Sequence, residues 1–289
     1  MIIIIKSVLG ILTALFSYYY LTDAHKNRKL FPATPWSHLL ATGFITNMFD
    51  TLGIGSFAQQ TVIFKFFKLV DDRIIPGTMN VGNTIPTVVQ AFIFMTMVDV
   101  KPLTLVSMAI AAPIGAILGA GVVARMPRYK IQLGMGFGLL IIAFIIFAGL
   151  VNWFPSGGEA IGLTGWKLVV AVVMSFIFGA LQTIGVGFYA PCMATVYMLG
   201  MNPRTAFPIM MTATAMLMSA GSARFVKEKA YDPKAAIGLT ISGIFGVIVA
   251  AYIIKSLPLT ALKWVVMAVV LYTSVWMFIS SASGRKQKS

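Results

Sequence analysis

Long apolar runs follow one another along almost the whole chain, separated by short polar stretches. Most of them are about 20 residues long, which is the helix length that crosses the hydrocarbon core of a bilayer. This pattern predicts an all-α polytopic membrane protein. The runs cover residues 2–22, 38–65, 74–98, 103–124, 131–151, 168–199, 207–225, 235–255 and 258–281.

Two of the runs, 38–65 and 168–199, are too long for one crossing and too short for two. Each is interrupted near its middle by a glycine motif, Gly53-Ile54-Gly55 in the first and Gly185-Val186-Gly187 in the second. About 12 to 15 residues lie on each side of the glycines, which is roughly 20 Å of helix, or half a membrane. Each run is therefore either one broken crossing or a re-entrant hairpin.

The two glycine motifs belong to an internal repeat. Residues 44–58 align without a gap on residues 176–190, with six of fifteen positions identical at an offset of 132. The same offset superposes Pro76 on Pro208. We therefore predict two repeats preceded by one extra helix. The predicted organisation is an N-terminal transmembrane helix and basic loop (1–37), a first repeat (38–152), a linker (153–166), a second repeat (167–282) and a basic tail (283–289).

Composition excludes a soluble protein and most site chemistries. Of 289 residues, 58% are hydrophobic and 10% are charged, against about 25% charged in soluble domains. The net charge is +14, but the basic residues lie in short loops, which indicates membrane topology rather than nucleic-acid binding. One cysteine and two histidines exclude a disulfide framework and a His/Cys metal cage, so no cofactor or metal is expected.

Charge also favours the hairpin over the broken crossing. With two hairpins, one side of the membrane collects sixteen of the 22 Lys and Arg residues, whereas two full crossings divide them almost evenly. The positive-inside rule favours the hairpins, in a cell (inner) membrane protein with its N-terminus outside and its C-terminus cytoplasmic. Three crossings per repeat then make the second repeat inverted relative to the first. The segments on the basic side are 23–37, 65–73, 125–130, 224–234 and the C-terminus.

The hairpin tips predict an anion site. At each tip the outgoing half-helix begins with N–H groups that have no helical partner and with the positive end of its dipole. Two such tips facing each other near the midplane would hold an anion. The alternative is that the glycines only permit close helix packing. The candidate site residues are Gly53, Ile54, Gly55, Ser56 and Phe57 in the first tip, and Gly185, Val186, Gly187, Phe188 and Tyr189 in the second.

Asp50 is the only acidic residue deep in an apolar run, and its repeat partner is Gln182. An intramembrane acid is costly and points to function. Asp50 either carries a coupling proton or caps the half-helix that follows, and the sequence does not decide between them. Other polar residues inside the runs are candidates for the substrate path, with interhelical hydrogen bonding as the alternative. They are Thr51, Thr183, Gln182, Thr78, Asn80, Asn83, Thr212 and Thr214.

These motifs resemble the sulfite exporter TauE/SafE family over about residues 38–282. The resemblance rests on the two glycine motifs and on Pro76-Gly77-Thr78 and Thr212-Ala213-Thr214. Where the family signature continues to a proline, the first copy has Gln59 and the second has Pro191. The resemblance implies transport of sulfite or an organosulfonate, driven by the proton gradient.

We therefore expect a secondary transporter of a small sulfur-containing anion. The alternatives are an anion channel and a transporter of another small organic or inorganic anion. An enzyme is not expected, because the chain has no H-E-x-x-H or G-x-S-x-G motif and no acid pair on one helix. The expected partners are the anion and the lipid bilayer, with no nucleic acid, and association into a homo-oligomer is left open.

Overall fold

A computed structural model of the chain describes residues 2–28, 32–95, 98–153, 157–252 and 259–286. It is 80% helical and has no strand in the part that it describes, so the predicted all-α class is confirmed. Its helices are α1 (Ile2–Lys26), α2 (Trp36–Thr51), α3 (Phe57–Phe66), α4 (Ile75–Phe94), α5 (Pro102–Val123), α6 (Arg128–Leu150), α7 (Gly165–Gln182), α8 (Tyr189–Met198), α9 (Ala206–Lys227), α10 (Pro233–Tyr252) and α11 (Leu259–Lys286).

Many of these helices have membrane dimensions. Within the described ranges, six are long and apolar enough to cross a bilayer, namely α1, α5, α6, α7, α9 and α10. Large apolar side chains remain exposed along them, such as Ile114 on α5, Phe144 on α6 and Phe245 on α10. A bilayer covers such surfaces with hydrocarbon, so the protein is a multi-pass membrane protein.

Each glycine-interrupted run folds back on itself. The Thr34 hydroxyl, just before α2, donates to the Leu69 carbonyl, just after α3, at 3.2 Å. In the second run the Lys167 ammonium at the start of α7 donates to the Leu199 carbonyl after α8, at 3.0 Å. Since both ends of each run lie together, α2 and α3 form one hairpin and α7 and α8 form another. We call them hairpin 1 and hairpin 2.

The basic segments meet at one end of the helix bundle, which we call the basic end. Arg125 pairs with Glu228 at 2.8 Å, joining segments 125–130 and 224–234. Lys229 pairs with Asp23, and the Ser281 hydroxyl donates to the Tyr129 carbonyl at 2.7 Å. Full crossings in place of the hairpins would put residues 125 and 228 at opposite ends of the bundle.

The remaining loops meet at the other end, which we call the opposite end. There the Lys101 N–H donates to the Ile161 carbonyl and the Asn202 N–H donates to the Ala160 carbonyl, both at 2.8 Å. The Lys6 ammonium lies 6.0 Å from the centre of the Phe92 ring. These contacts bring together the start of α1, the end of α4 and the loops before α5, α7 and α9.

Helices of the two halves pack in matching pairs. Helix α2 packs along α10 as α7 packs along α5, and α4 packs against α9 at the centre of the bundle. Helix α6 packs mainly on α11, and this α6–α11 pair meets the other helices chiefly at α3 and α8. The outgoing halves of the two hairpins therefore lie between the α6–α11 pair and the remaining helices.

Glycines at the helix seams permit close packing. A Cβ added at Gly179 of α7 would collide with the Ala112 carbonyl of α5, and one at Gly246 of α10 would collide with the Phe44 carbonyl of α2. Backbone atoms cannot move aside as a flexible side chain can, so these two positions require glycine. The tip glycines differ, because a Cβ at Gly55 would meet nothing within 4 Å and one at Gly187 nothing closer than 3.8 Å.

Candidate functional site

The first glycine of each motif ends a helix. Gly53 has a φ of +85° and its N–H donates to the Asp50 carbonyl at 2.9 Å, while the next N–H, of Ile54, donates to the Phe49 carbonyl at 3.1 Å. This is a Schellman cap, in which a left-handed residue closes the last helical turn. Hairpin 2 repeats it, with Gly185 at a φ of +103° and the same two backbone bonds to carbonyls 182 and 181.

The second glycines of the two motifs, Gly55 and Gly187, line one space that residues of both tips enclose. Gly55 has a φ of +87°, whereas Gly187 lies outside the left-handed region. An added Cβ at Gly187 would lie 3.8 Å from the Phe57 Cβ of hairpin 1. Gly187 of hairpin 2 therefore lies close to the start of α3 in hairpin 1.

A small cavity lies between the tips, which we call the tip cavity. Its volume is about 30 Å³, room for about two water molecules. Among the described residues that line it there is no lysine or arginine. They are Asp50, Ile54, Gly55, Ser56, Phe57, Ala58, Thr87, Ile142, Gln182, Gly187, Phe188, Tyr189, Ala190, Thr214 and Met218.

Backbone N–H groups remain available at this cavity, but fewer than predicted. The Ile54 and Val186 N–H groups donate to backbone carbonyls in the two Schellman caps, so in this structure neither is free to donate to an anion. In the described part of the chain, the N–H groups at 55–57 and 187–189 have no backbone acceptor. They lie in the residues that lead into α3 and α8 and at the first residue of each helix, where helical partners are missing. Of these groups, the Ser56 N–H faces the Asp50 carboxyl.

Asp50 is linked through Gln90 to hairpin 2. The Gln90 side-chain amide donates to Asp50 Oδ2 at 2.9 Å and to Thr51 Oγ1 at 3.0 Å. In turn the Tyr189 hydroxyl donates to Gln90 Oε1 at 2.6 Å. The Asp50 side chain is 5% exposed, and it pairs with no lysine or arginine among the described residues. Ser56, at the start of α3, also faces this carboxyl.

Two polar side chains at the tip cavity have unused hydrogen-bonding capacity. Both atoms of the Gln182 side-chain amide and the Thr214 hydroxyl are buried and have no hydrogen-bond partner in the part of the chain that the structure describes. Such groups are rare in folded proteins, because burying them unsatisfied costs about 1–3 kcal/mol each. Both residues line the tip cavity, so a bound ligand would satisfy them.

Several other predicted site residues lie away from the tip cavity. Asn83 bonds to Gln60 and Asn47, and this amide network fastens hairpin 1 to α4. The Thr78 hydroxyl accepts the Asp232 N–H near the basic end. These bonds are of the interhelical kind that is the alternative to a place on the substrate path. Outside the tip cavity also lie Thr51, Gly53, Asn80, Thr183, Gly185, Val186 and Thr212.

Five residues that line the tip cavity were not predicted, namely Ala58, Thr87, Ile142, Ala190 and Met218. A signal existed for Thr87, which follows Asn80 by seven residues and therefore lies on the same face of α4. Ile142 comes from α6, and nothing in an apolar run distinguishes a cavity-lining isoleucine from one that faces lipid. Tertiary packing decides this difference.

A second cavity, which we call the outer cavity, adjoins the first and shares Ile54 and Ala190 with it. Its volume is about 420 Å³, and its walls come from α6 and α8. Asn152 at its rim is exposed where α6 ends, so the outer cavity extends toward the opposite end. Its other lining residues are Gly53, Ile145, Ile146, Gly149, Leu150, Met193, Ala194 and Tyr197.

Comparison with known protein families gives a match to the second half of the chain. The model of the family described as Sulfite exporter TauE/SafE matches residues 167–289. No curated protein and no solved structure matches the chain. The family match begins at the start of α7 and takes in hairpin 2, including Gln182, Gly185 and Gly187. The resemblance predicted from the motifs is confirmed over this part of the chain: residues 167–289 match the sulfite exporter TauE/SafE family.

Proposed function

We propose that this protein is a secondary transporter that holds a small sulfur-containing anion, sulfite or an organosulfonate, between the tips of its two hairpins, where the tip cavity adjoins the larger outer cavity. The observation that carries the proposal is the pair of buried, unpartnered polar side chains, Gln182 and Thr214, at a cavity framed by two helix N-termini. The family match supports the sulfur anion.

The proposed anion site relies on dipoles rather than on a full positive charge. Each helix N-terminus contributes about 0.3–2 kcal/mol toward binding an anion, depending on burial. The Gln182 amide and the Thr214 hydroxyl add two side-chain donors, and hydrogen bonds to charged groups contribute about 1.5–3 kcal/mol each. An anion held in this way can leave again, as transport requires.

The arrangement of the helices supports an inverted repeat. Helices α4 and α9 are equivalent in the two halves, and they run antiparallel, with Thr84 bonded to Ser222 at 3.0 Å and Gly77 packed against Phe225. Helices α6 and α11 are also antiparallel. When a two-fold axis relates two equivalent helices that run antiparallel, that axis is perpendicular to the helices. For helices that cross a bilayer, it lies in the plane of the membrane.

We propose that Asp50 carries the coupling proton. A buried carboxylate without a cation is costly, so its environment favours neutralisation by a proton. Gln90 links Asp50 in hairpin 1 to Tyr189 in hairpin 2. A change in the protonation of Asp50 would therefore alter a hydrogen bond that reaches hairpin 2. The capping alternative rests on Ser56, whose hydroxyl and N–H face the same carboxyl.

An anion channel would need a continuous path through the molecule. On the side of the tip cavity that faces the basic end, Ile184 and Val186 of hairpin 2 pack directly against Gly134 and Gly138 of α6. This contact interrupts the path toward the basic end. It favours a carrier over a channel.

Binding of sulfite to the purified protein tests the proposed function. We expect Gln182→Leu and Thr214→Val each to weaken sulfite affinity about tenfold in isothermal titration, the equivalent of about 1.4 kcal/mol for one lost donor. Thr212→Val is the matched control, because the Thr212 hydroxyl is also buried without a partner among the described residues but does not line the tip cavity. Equal losses in all three variants, or none, would contradict the site.

The proposed orientation places the basic end in the cytoplasm. In intact cells, a single cysteine at Glu159 should react with an impermeant thiol reagent, and one at Lys130 should be shielded. Both side chains are exposed, so labelling reports the side of the membrane rather than burial. Reaction at Lys130 with protection at Glu159 would reverse the orientation.

A further inference from the structure

The boundary between the α6–α11 pair and the other helices is open at one end of the bundle and closely packed at the other. At the opposite end it contains the outer cavity, with Tyr197 of α8 in its wall. The repeat offset of 132 makes Lys65 of α3 the equivalent of Tyr197. At the basic end Lys65 does not line an open space but belongs to a packed group, which we call the Lys65 cluster. Its members are Lys65, Asp72, Gln132 and Trp276.

The Lys65 cluster bridges the boundary. Lys65 and Asp72 form an ion pair and are 8% and 4% exposed. The Gln132 amide of α6 donates to Asp72 at 2.7 Å, and the Lys65 ammonium lies 5.5 Å from the centre of the Trp276 ring of α11. Arg128, whose side chain is largely exposed, adds a weaker contact to Asp72 at 3.8 Å. Both helices of the α6–α11 pair are thus tied to the base of hairpin 1.

Between the Lys65 cluster and the tip cavity the boundary is also closed. An added Cβ at Gly134 of α6 would lie 2.7 Å from the Ile184 side chain, and the Met135 methyl group packs against Gly185. Hairpin 2 therefore touches α6 without a gap on this side of its tip. The tip cavity adjoins the outer cavity on its other side.

We propose that the Lys65–Asp72 ion pair, braced by Gln132 and Trp276, is the gate that closes the tip cavity toward the basic end. The structure is then the state in which the anion exchanges with the opposite end. This inference rests on the proposed transport function, since a gate matters only if an anion passes.

An ion pair suits a gate because it is stable when both partners are present and costly when one is missing. Removing the Lys65 charge leaves Asp72 buried with only the Gln132 amide and the weaker contact to Arg128, which draws water to the carboxylate and opens the boundary. Removing both charges and substituting apolar groups leaves a seam that can close again. The single substitution should therefore let water reach the tip cavity from the basic end, and the double substitution should not.

Thiol accessibility tests the gate in purified protein. The reporter is Val62→Cys on α3, the equivalent of Ala194 in the outer cavity, placed in a Cys192→Ala background; a second reporter is Ala194→Cys. Without further change, the cysteine at 194 should react quickly with a water-soluble maleimide and the cysteine at 62 slowly. Lys65→Met should raise the rate at 62 at least tenfold, and Gln132→Leu should raise it by a smaller factor.

Two further variants control this experiment. Lys229→Met breaks the Lys229–Asp23 pair, also at the basic end but away from the boundary, and should leave the rate at 62 unchanged. The double variant Lys65→Met with Asp72→Leu should return that rate to within threefold of the starting value. The proposed gate is contradicted if Lys65→Met has a normal melting temperature and the cysteine at position 62 does not react faster. It is also contradicted if Lys229→Met raises that reaction rate as much as Lys65→Met does.

The thiol-accessibility experiment and the sulfite-binding experiment can fail independently of each other. Maleimide reaction requires no anion, so the gate can fail while sulfite still binds at the tip cavity. Conversely, if sulfite does not bind, the accessibility results still say whether the Lys65 cluster closes the boundary.

Discussion

Asp50→Asn is expected to abolish accumulation of sulfite driven by a pH gradient while sulfite binding is retained to within about threefold. Asparagine has the shape of aspartate but cannot exchange a proton, so a carrier that depends on this proton stops coupling. The fold should survive, because the asparagine oxygen can still accept the hydrogen bond that Gln90 donates at 2.9 Å. Flux into proteoliposomes under an imposed pH gradient is the measurement.

Asp232→Asn is the control for this variant. Asp232 lies in the loop before α10 and accepts the Ala235 N–H at 3.0 Å, an interaction that asparagine preserves. Gradient-driven flux in Asp232→Asn should match that of the unchanged protein. If Asp50→Asn still concentrates sulfite, Asp50 carries no coupling proton and the role of capping α3 is favoured.

The gross architecture could be predicted from periodicity, repetition and charge. Half-length apolar segments around the glycine motifs indicated hairpins, and sixteen basic residues on one side indicated which loops share an end. The Thr34–Leu69 contact agrees with the predicted hairpin, and the Arg125–Glu228 contact agrees with the predicted grouping of the basic loops at one end. These features are local in sequence or depend on counting, so a single chain is enough to find them.

The details of the tips could not be predicted, because they depend on where individual hydrogen bonds go. The sequence does not say that the Ile54 and Val186 N–H groups close the preceding helix instead of facing a ligand. Nor does it say that Asn83 satisfies Gln60 and Asn47 while Gln182 remains unpaired. Amide side chains inside a membrane are equally suited to a ligand and to a neighbouring helix, and only packing selects between them.

Valine at the second glycine of either tip is expected to weaken sulfite binding more than tenfold. The added methyl groups at Gly187 would extend into the tip cavity of about 30 Å³ and separate the anion from the N–H groups of α3 and α8. Gly187→Val should leave the melting temperature nearly unchanged, since Gly187 has no left-handed φ and an added Cβ makes only ordinary contacts. Isothermal titration with sulfite and thermal melting without it are the two measurements.

Gly55→Val should differ from Gly187→Val in its stability. Gly55 has a φ of +87°, and a residue with a Cβ pays about 1–2 kcal/mol to adopt the left-handed region. Gly55→Ala isolates that strain, because an alanine Cβ there would meet nothing within 4 Å. We expect Gly55→Ala to lower the melting temperature and to reduce sulfite affinity less than Gly55→Val does.

The most direct test of the anion site compares Gly187→Val with Gly179→Ala by sulfite titration and ligand-free melting. Gly179 lies in the seam between α7 and α5, where an added Cβ collides with the Ala112 carbonyl, so Gly179→Ala should lose stability but keep its sulfite affinity. Gly187→Val should do the reverse, losing affinity more than tenfold at nearly constant melting temperature. Normal sulfite binding by Gly187→Val, or parallel losses of affinity and stability in both variants, would contradict a site between the two tips.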